Sequence, residues 1–461
     1  MIEKGSFHKR IENVSCFDLS YEGKGVVRVD GEIVFVNDMF PGDEGDIEID
    51  YRRNGALFGH VKKINKPSPN RVRPICPVCY QCGGCAFQCL SYEAQLTYKQ
   101  KKVKEQFRKV AKMDVDVLPT LGMDNPYHYR NKVQPLIGQD ENRNIVSGFY
   151  KEGTHHIVPV ERCYIEDMRA NTVLLAIRHL LDKHHIPAYD EDQRTGVIRR
   201  VLIKTSLHYP EMMVVLITAV DRFPSRESFV RDLLKVCPEV TTVVQNINPR
   251  QTSVILGERE RVLFGKGTIR DSISGLTFRI SPKSFYQTNP TMVQVLYDTA
   301  MEFADLKETD VVFDAYSGIG TIGLIAATHG CEVISVEIVP EAVEDANKNA
   351  KHNGLDKFSA YVGDAGEFIR RMAKYNKKLD VLFMDPPRKG SDMTFLESVM
   401  KIKPNRIVYV SCDCSTLARD VKVLSKMYKI EKVRPVDMFP QTPHVETISV
   451  ICLKDEEKKK Q

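Results

Sequence analysis

The chain contains no tryptophan and no apolar run of the roughly 18 residues that a membrane span requires. Its first five residues lack the apolar core of a signal peptide, so the sequence predicts a cytoplasmic protein without a membrane partner. The formal net charge of +5 is too small to identify a partner by itself. With 461 residues, 42% of them hydrophobic, the chain is long enough for two or three domains with cores of their own.

The first part of the chain, residues 6–64, contains several short β-type runs that are separated by turn residues. Asp30-Gly31 and Pro41-Gly42-Asp43 are examples of these turns. The pattern predicts a small five-stranded β-barrel of the oligonucleotide-binding kind. Residues 67–70, which include two prolines, then form a linker.

The 12 cysteines are unevenly distributed. One short segment holds Cys76, Cys79, Cys82, Cys85 and Cys89. Without an export signal, such a cluster indicates a metal site rather than disulfides. Because the thiols follow one another along one glycine-containing loop, the pattern favours an iron–sulfur cluster over zinc. The last four match the spacing of bacterial ferredoxins, with Leu90 in place of the usual proline, and local spacing leaves the ligand set open.

Two basic segments follow the cysteine loop. Residues 91–113 have helical character and carry seven lysine and arginine side chains, which suit either a solvated helix face or contacts with an RNA backbone. Residues 127–132 combine aromatic and basic side chains, which can stack on bases and neutralise phosphates, although an ordinary surface turn has the same composition. The region up to about residue 270 mixes both kinds of secondary structure and predicts a central α+β domain.

The last third of the chain alternates strands and helices. An apolar strand at 311–314 leads to a turn with glycines at 318, 320 and 323, and the next strand ends on Glu337, about 20 residues later, where an acidic side chain can bind ribose hydroxyls. A later strand at 379–384 delivers Asp385. This alternation predicts an α/β doubly wound, Rossmann-like sheet with its site along one edge.

A nucleophile and a base are candidates near the C-terminus. The apolar run at 407–410 leads to Cys412, and Glu446 follows some thirty residues later. A thiol at the carboxyl end of a buried strand, with a carboxylate on the next strand connection, can face one pocket and support covalent catalysis. Cys414 is the competing thiol, and Glu446 could instead pair with Arg388 or His444.

Five motifs occur together in the chain and make it resemble the bacterial RNA uracil-5-methyltransferases over nearly its whole length. They are Ser284-Phe-Tyr-Gln287-Thr-Asn, Asp314-x-Tyr316-Ser-Gly-x-Gly320, Asp385-Pro-Pro-Arg-x-Gly390, Tyr409-Val-Ser-Cys412 and Asp437-Met-Phe-Pro-Gln-Thr-Pro-His-Val-Glu446-Thr. The resemblance implies a TRAM-like RNA-binding barrel at 1–66, an iron–sulfur loop with a central α+β RNA-binding domain at 67–275, and a class I methyltransferase domain at 276–461.

The resemblance also implies roles for individual residues. Cys412 would add to carbon 6 of uracil, and Glu446 would remove the proton from carbon 5. The expected contacts with S-adenosylmethionine are Gln287, Tyr316, Glu337 and Asp385. Simple packing is the alternative for Tyr316, and a solvated strand end is the alternative for Glu337.

The same resemblance maps a 4Fe–4S cluster onto a ligand set that differs from the local ferredoxin pattern. It uses Cys76, Cys82, Cys85 and the distant Cys163, and leaves Cys79 and Cys89 as spare thiols. Methyl transfer needs no redox step, so the expected role is structural or RNA-positioning.

The implied partner is RNA, most specifically 23S rRNA, because the barrel and the cysteine loop resemble the rRNA branch of the family. The target uridine has to leave its stack before a thiol can reach carbon 6. We expect a monomer that does not act on DNA. A tRNA uracil-5-methyltransferase and a non-catalytic iron–sulfur RNA-binding protein are the alternatives; an amino-methyltransferase is disfavoured because Arg388, not an aromatic residue, follows the proline pair.

Overall fold

The computed structural model of the protein describes residues 2–3, 9–151, 154–252 and 254–455. Two segments therefore lie partly outside the described residues: the N-terminal residues, for which no signal peptide is predicted, and the charged C-terminal tail. The described helices include none that is both long and apolar enough to cross a membrane.

The N-terminal sheet has seven strands, not the five predicted, because two strands of only two residues join it. In order along the sheet the strands run β1-β6-β7-β5-β4-β3, and β2 pairs with β6. Valine, isoleucine and leucine side chains of β2, β4, β5, β6 and β7 share one core. The strands are β1 (Ile2–Glu3), β2 (Lys9–Ser15), β3 (Asp18–Leu19), β4 (Gly25–Val29), β5 (Glu32–Asn37), β6 (Glu44–Arg53) and β7 (Ala56–Lys66).

The connection that follows holds a short helix, α1 (Cys79–Cys82), and a longer one, α2 (Tyr92–Gln106). Ser91 caps α2 by accepting a hydrogen bond from the Ala94 amide. A π-helical turn at Phe107–Ala111 extends α2 and ends on Lys112 with a φ of 60°. The predicted helix at 91–113 is therefore confirmed.

The central part of the chain forms an eight-stranded mixed sheet with the order β11-β10-β9-β12-β13-β14-β15, to which β8 adds at β12. The hairpin β16–β17 follows it, and the predicted boundary at 275/276 falls in its turn. The elements are β8 (Lys132–Val133), β9 (Leu136–Gln139), β10 (Ile145–Tyr150), β11 (Ile157–Pro159), α3 (Met168–Lys183), β12 (Ile198–Thr205), β13 (Met212–Thr218), α4 (Arg226–Val236), β14 (Thr242–Ile247), β15 (Arg259–Phe264), β16 (Ile269–Ile273) and β17 (Leu276–Ile280).

The C-terminal sheet has seven strands in the order β20-β19-β18-β21-β22-β24-β23. The first five are parallel, and the last two are antiparallel to their neighbours. The strand order reverses between β18 and β21, which is where ligands bind in open α/β sheets. The elements are α5 (Pro290–Ala304), β18 (Val311–Ala315), α6 (Thr321–Ala327), β19 (Glu332–Glu337), α7 (Pro340–His352), β20 (Phe358–Val362), α8 (Ala365–Lys374), β21 (Val381–Met384), α9 (Met393–Ile402), β22 (Arg406–Ser411), α10 (Cys414–Leu424), β23 (Tyr428–Val436) and β24 (Glu446–Leu453).

The C-terminal sheet is buried on both faces, as a parallel sheet requires. One of its cores is continuous with side chains of the central sheet and of the hairpin, such as Leu202, Met213 and Phe278. The other includes Val103 and Phe107, which belong to the α2 region. The central sheet and the α2 region therefore both pack directly on the sheet that carries the site.

Candidate active site

A cleft of about 1290 Å³ opens at the carboxyl ends of the parallel strands, at the reversal of strand order. All six residues that the sequence indicated as catalytic or cofactor-binding line it: Gln287, Tyr316, Glu337, Asp385, Cys412 and Glu446. Sequence positions spread over 160 residues are thus brought into one site by the order of the strands.

The turn between β18 and α6 forms one end of the cleft. Gly318 has a φ of 56°, and a Cβ at this position would meet no atom within 4 Å, so a ligand can come close to the backbone. The Gly318 amide donates a hydrogen bond of 3.0 Å to Glu337 Oε2. Glu337 Oε1 accepts from the Val339 amide at 3.0 Å. The carboxylate is thus held at the strand end with lone pairs left for ribose hydroxyls.

Asp314 fixes the same turn from inside the sheet. Its Oδ2 accepts hydrogen bonds from the Gly323 amide at 3.0 Å and from the Ser335 hydroxyl at 3.2 Å. Burial raises the pKa of Asp314 to about 7, and the two hydrogen bonds oppose that rise. A Cβ on Gly323 would lie 2.5 Å from Ser335 Oγ and 2.7 Å from Asp314 Oδ2, which explains the glycine.

Tyr316 and Gln287 lie on the two sides of the cleft. Tyr316 has a φ of 63°, a conformation that non-glycine residues adopt at a cost, and its hydroxyl donates to Ser391 Oγ at 3.3 Å. Its ring also packs on Phe395 with centroids 5.4 Å apart, so packing and a cleft-lining position are both present. The Gln287 backbone carbonyl accepts a hydrogen bond of 3.2 Å from the Asn131 side chain.

The end of one strand ladder brings the two candidate catalytic residues close to each other. In the antiparallel pair β22–β24, Ser411 is the partner of Thr447. Cys412 directly follows Ser411, the last residue of β22, and Glu446 is the first residue of β24. The charge of Glu446 raises the pKa of the Cys412 thiol, so the two side chains lie near each other at the end of the ladder. Cys414 lies two residues on in α10, where it is buried, and is not among the cleft-lining residues.

Burial and like charge set the acidity of this group. The pKa of Glu446 is raised to about 8 by burial and by the charge of Asp385, while Arg388 lowers it. Burial raises the pKa of Asp385 to about 7. The pKa of the Cys412 thiol is raised to about 11 by burial and by both carboxylates, and Arg388 again acts in the opposite direction. The Arg388 guanidinium therefore favours the charged forms of Cys412 and Glu446.

A buried ion pair anchors the loop that leads to Glu446. Lys99 of α2 donates to Asp437 Oδ1 at 2.5 Å and to the Phe439 carbonyl at 3.1 Å, and both charged side chains are completely buried. The expectation that Lys99 is either solvated or in contact with RNA is therefore wrong. Asp437 supplies the counter-charge that allows a lysine to be buried here.

The same loop is tied to the chain upstream. The Gln95 side chain donates to Gln441 Oε1 at 3.0 Å, and Gln95 Oε1 accepts from the Gln441 amide at 2.9 Å. The Tyr129 hydroxyl donates to the Pro440 carbonyl at 3.0 Å. Tyr129 is 5% exposed, so the interpretation of 127–132 as an ordinary surface turn is wrong for this residue.

Arg130 and Tyr297 are among the cleft-lining residues that the sequence did not indicate as part of the site. Arg130 belongs to the aromatic and basic segment. Tyr297 lies on α5, and burial and the charge of Asp385 raise the pKa of its phenol. No local signal marks Tyr297, because α5 precedes the sheet and reads as an ordinary amphipathic helix.

The cysteine loop is less regular than the cleft. Cys79–Cys82 form one helical turn that ends on Gly83 with a φ of 68°. Burial raises the pKa values of Cys82 and Cys85; Cys76 raises both further, and Cys82 adds to the effect on Cys85. The charge of Cys85 likewise raises the pKa of Cys163. Cys76, Cys82 and Cys85 therefore lie within electrostatic reach of one another, and Cys163 lies within reach of Cys85.

Cys79 interacts more strongly with Cys89 than with this group, and Cys89 in turn donates to the Tyr80 hydroxyl at 3.1 Å. In the described part of the chain, no three His, Cys, Asp or Glu side chains form a group that could hold a metal ion. The thiols of the loop therefore lie near one another without forming a closed ligand set in the described part of the chain.

Comparison with known proteins agrees with the geometry of the cleft. A family profile described as tRNA (uracil-5-)-methyltransferase matches residues 254–454. An RNA methyltransferase of Oceanobacillus iheyensis is 41% identical over 440 residues, 95% of either chain. One of Halalkalibacterium halodurans is 41% identical over 447 residues, 96% of this chain and 97% of the relative. The solved Pyrococcus abyssi tRNA (uracil-54, C5)-methyltransferase, in complex with S-adenosyl-L-homocysteine, superposes with a TM-score of 0.77 at 26% identity, covering 95% of this chain and 100% of that one.

Proposed function

Because the chain belongs to the family of bacterial RNA uracil-5-methyltransferases, we propose that it methylates carbon 5 of one uridine in 23S rRNA through a covalent adduct on Cys412. The observation that carries this proposal is that Cys412 and Glu446 lie together at the end of the β22–β24 ladder, in a cleft shared with Asp385 and the glycine turn. A thiol and a carboxyl group on one face are what uracil activation requires.

The chemistry follows from the weak nucleophilicity of carbon 5 of uracil. The Cys412 thiolate adds to carbon 6, the bond between carbons 5 and 6 loses its π character, and the electron pair moves onto the ring as an enolate. S-adenosylmethionine, when bound, would supply the electrophilic methyl group that carbon 5 accepts, with S-adenosylhomocysteine leaving with the electron pair of the broken sulfur–methyl bond. Glu446 then takes the proton from carbon 5, the bond between sulfur and carbon 6 breaks, and the thiolate is restored.

Different residues of the cleft would hold the two substrates, S-adenosylmethionine and the uridine. Glu337 and the turn at Gly318 suit the ribose of S-adenosylmethionine, and the open space at Gly318 lets the ligand reach the backbone. Tyr316 and Gln287 would complete this part of the site. Asp385, next to both Glu446 and Cys412, lies at the junction with the uracil.

The pKa values give Arg388 a specific role. Near neutral pH the raised pKa values leave Cys412 as a thiol and Glu446 largely protonated. Arg388 opposes both shifts, so its charge increases the fraction of the thiolate and of the ionised base.

The choice of 23S rRNA rests on the N-terminal sheet, which we propose to be a TRAM-like RNA-binding barrel at 1–66, and on the cysteine loop of the second domain at 67–275. The tRNA alternative is supported by the likeness to the Pyrococcus abyssi tRNA enzyme and by the description of the matching family. The methyltransferase domain at 276–461 is common to both readings. We propose that the protein acts as a cytoplasmic monomer.

The test is to trap the adduct with an RNA that cannot complete the reaction. Fluorine at carbon 5 cannot leave as a proton, so 5-fluorouridine in a 23S rRNA transcript should remain bound to the protein when S-adenosylmethionine is present. Peptide mass spectrometry should place the RNA on Cys412, and sequencing of the attached fragment should identify the uridine. A tRNA transcript treated in parallel separates the two substrates.

Two variants control this experiment. Cys412→Ser should form no adduct, while Cys331→Ser should form it normally, because Cys331 is buried and its thiol only donates to the Ala326 carbonyl, as a serine hydroxyl can. An adduct that survives in Cys412→Ser would refute the assignment of the nucleophile. If neither transcript is trapped and neither fluorine-free transcript is methylated, uridine methylation of these RNAs is refuted and a non-catalytic RNA-binding role is favoured.

The 4Fe–4S cluster is a separate proposal. The ligand set implied by the family is Cys76, Cys82, Cys85 and Cys163; it is supported by the electrostatic influence of Cys76 on Cys82 and Cys85 and of Cys85 on Cys163. When bound, a cluster would fasten the cysteine loop to the central domain, because Cys163 lies in the latter. None of the catalytic steps above depends on it.

A further inference from the structure

A turn of the N-terminal sheet, residues 20–24, reaches the loop that carries Cys412. The Tyr21 hydroxyl donates a hydrogen bond of 3.0 Å to Asp413 Oδ1. The thiol of Cys414 lies 3.8 Å from the same hydroxyl and donates to it. The two residues that follow Cys412 are therefore both in contact with one side chain that comes from almost 400 positions earlier in the chain.

Asp413 links this contact to the local structure of the catalytic turn. Its Oδ1 also accepts from the Ser415 and Thr416 amides at 2.9 and 3.1 Å, which caps α10. Its backbone amide donates to Ser411 Oγ at 3.1 Å. A shift of Asp413 would therefore move the turn in which Cys412 lies.

The second catalytic loop is attached to the same turn through α2. The Lys102 ammonium group lies 4.0 Å from the centre of the Tyr21 ring and donates at 2.8 Å to the carbonyl of Pro443, three residues before Glu446. An ammonium group over an aromatic face is attracted by the ring. Tyr21 and Lys102 together thus contact both loops that deliver the catalytic side chains.

The fit of the turn is tight enough to require a glycine. Gly23 has a φ of 82°, and a Cβ there would lie 2.8 Å from the Phe87 ring and 2.9 Å from Pro443 Cβ. The Tyr98 hydroxyl donates to the Ser20 and Tyr21 carbonyls at 2.9 and 3.1 Å. The turn is therefore wedged between α2, the cysteine loop and the loop before Glu446.

We propose that turn 20–24 completes the catalytic centre, with Tyr21 acting as a positioning residue that holds Cys412 near Glu446 through Asp413 and Lys102. This positioning role rests on the proposed function only for its expected effect on kcat. The role also means that substrate contacts with the N-terminal sheet can alter the catalytic loop directly, in addition to binding RNA.

The test compares Tyr21→Phe with Tyr428→Phe. The first variant keeps the ring below Lys102 and removes only the hydroxyl that bonds Asp413. The second removes a buried hydroxyl that has no hydrogen-bond partner in the structure. Tyr21→Phe loses a hydrogen bond to a charged group, and this bond acts mainly in the ordered catalytic state. We therefore expect kcat of Tyr21→Phe to fall about tenfold. KM for both substrates should stay unchanged, and Tyr428→Phe should behave like the wild type.

A second readout needs no RNA. Alkylation of Cys412 by iodoacetamide, followed by peptide mass spectrometry, should become about fivefold faster in Tyr21→Phe, because the loop opens more often once about 1 kcal/mol of hydrogen bonding is lost. Asp413→Asn keeps the oxygen that caps α10 but weakens the bond from Tyr21. The double variant should therefore be no worse than the single variants, which a double-mutant cycle will show.

The outcomes separate this proposal from the proposed function. If the wild type methylates no RNA but alkylation and the cycle behave as expected, only the proposed function fails. The positioning role is overturned if Tyr21→Phe matches Tyr428→Phe in both readouts, or if its effect is confined to KM for RNA. A fall in thermal stability of Tyr21→Phe alone, without the change in kcat, would also overturn it.

Discussion

The cleft and the cysteine loop both contain cysteines that stand out in the sequence, but the geometry of the two regions is determined by different interactions. Cys412 follows directly on a buried strand, and the pairing of Ser411 with Thr447 brings it to the same end of the ladder as Glu446. The thiols of the cysteine loop lie in a segment with one helical turn and few ladder bonds, and Cys163 lies about 80 residues further along the chain, between β11 and α3. A site built on strand ends has its geometry without a ligand, whereas a loop of thiols depends on the ion or cluster that it binds.

The comparison implies that changes in the cleft should act on catalysis, and changes in the cysteine loop on metal content and stability. The largest effect tests the first half of this statement. Glu446→Gln removes the base and leaves the size of the side chain unchanged, so addition and methylation can occur but the proton on carbon 5 stays. We expect turnover to fall about 10³-fold and a methylated RNA–protein adduct to accumulate on natural, fluorine-free RNA.

Denaturing gels with radiolabelled RNA measure the adduct, and single-turnover assays measure methylation. Glu397→Gln is the matched control, because it makes the same exchange on α9 at a residue that is not among the cleft-lining ones. This variant should leave turnover unchanged. Full turnover of Glu446→Gln would contradict its role as the base and would leave Asp385 as the next candidate.

A smaller effect tests whether the electrostatics of the cleft matter as the pKa values indicate. The base acts only when ionised, and the pKa of Glu446 is raised to about 8, so kcat/KM should rise with pH and be lost as the pH falls below about 8. Arg388→Gln removes the charge that lowers the pKa values of Glu446 and Cys412. The profile should therefore move to higher pH, with about a tenfold loss at neutral pH.

The pH dependence of kcat/KM between about pH 6 and about pH 10 measures this shift. Arg388→Lys keeps the positive charge and is the matched control, which should retain most of the wild-type profile. A uniform loss of activity in Arg388→Gln without a shift of the profile would show that Arg388 contacts RNA rather than tuning the catalytic group.

The sequence predicted the parts of the site that depend on strand ends. Asp385, Glu337 and Cys412 each follow or end a parallel strand, and such ends meet at one edge of the sheet whatever the details of packing. The sequence did not predict that β24 lies between β22 and β23, because a strand order that departs from chain order leaves no local pattern. Without that order the proximity of Cys412 and Glu446 could not be derived.

Contacts between distant segments were also beyond the sequence. Lys99 and Asp437 lie 338 positions apart, and only the packing of α2 on the loop before Glu446 reveals that the lysine is buried. A helix with lysines on every side has no apolar face that would indicate which one turns inward. Tyr21 was missed for the same reason, since nothing near it in the sequence relates a turn of the N-terminal sheet to the loop that carries Cys412.

The smallest effect on catalysis is expected from the cysteine loop, and it tests the other half of the comparison. Cys163→Ser should abolish the iron chromophore of the purified protein, while Cys79→Ser should retain it, because Cys79 interacts mainly with Cys89 rather than with the other four thiols. Since Phe87 of this loop donates its amide to the Gln441 carbonyl at 3.0 Å, loss of the cluster should loosen the loop before Glu446 only indirectly. We therefore expect kcat of Cys163→Ser to stay within about threefold of the wild type and the thermal midpoint to fall.

Iron analysis and visible absorption measure the loss of the chromophore, and single-turnover kinetics measure the change in kcat. A fully retained chromophore in Cys163→Ser would refute the ligand set, and a loss of kcat as large as that of Glu446→Gln would show that the two regions form one catalytic unit.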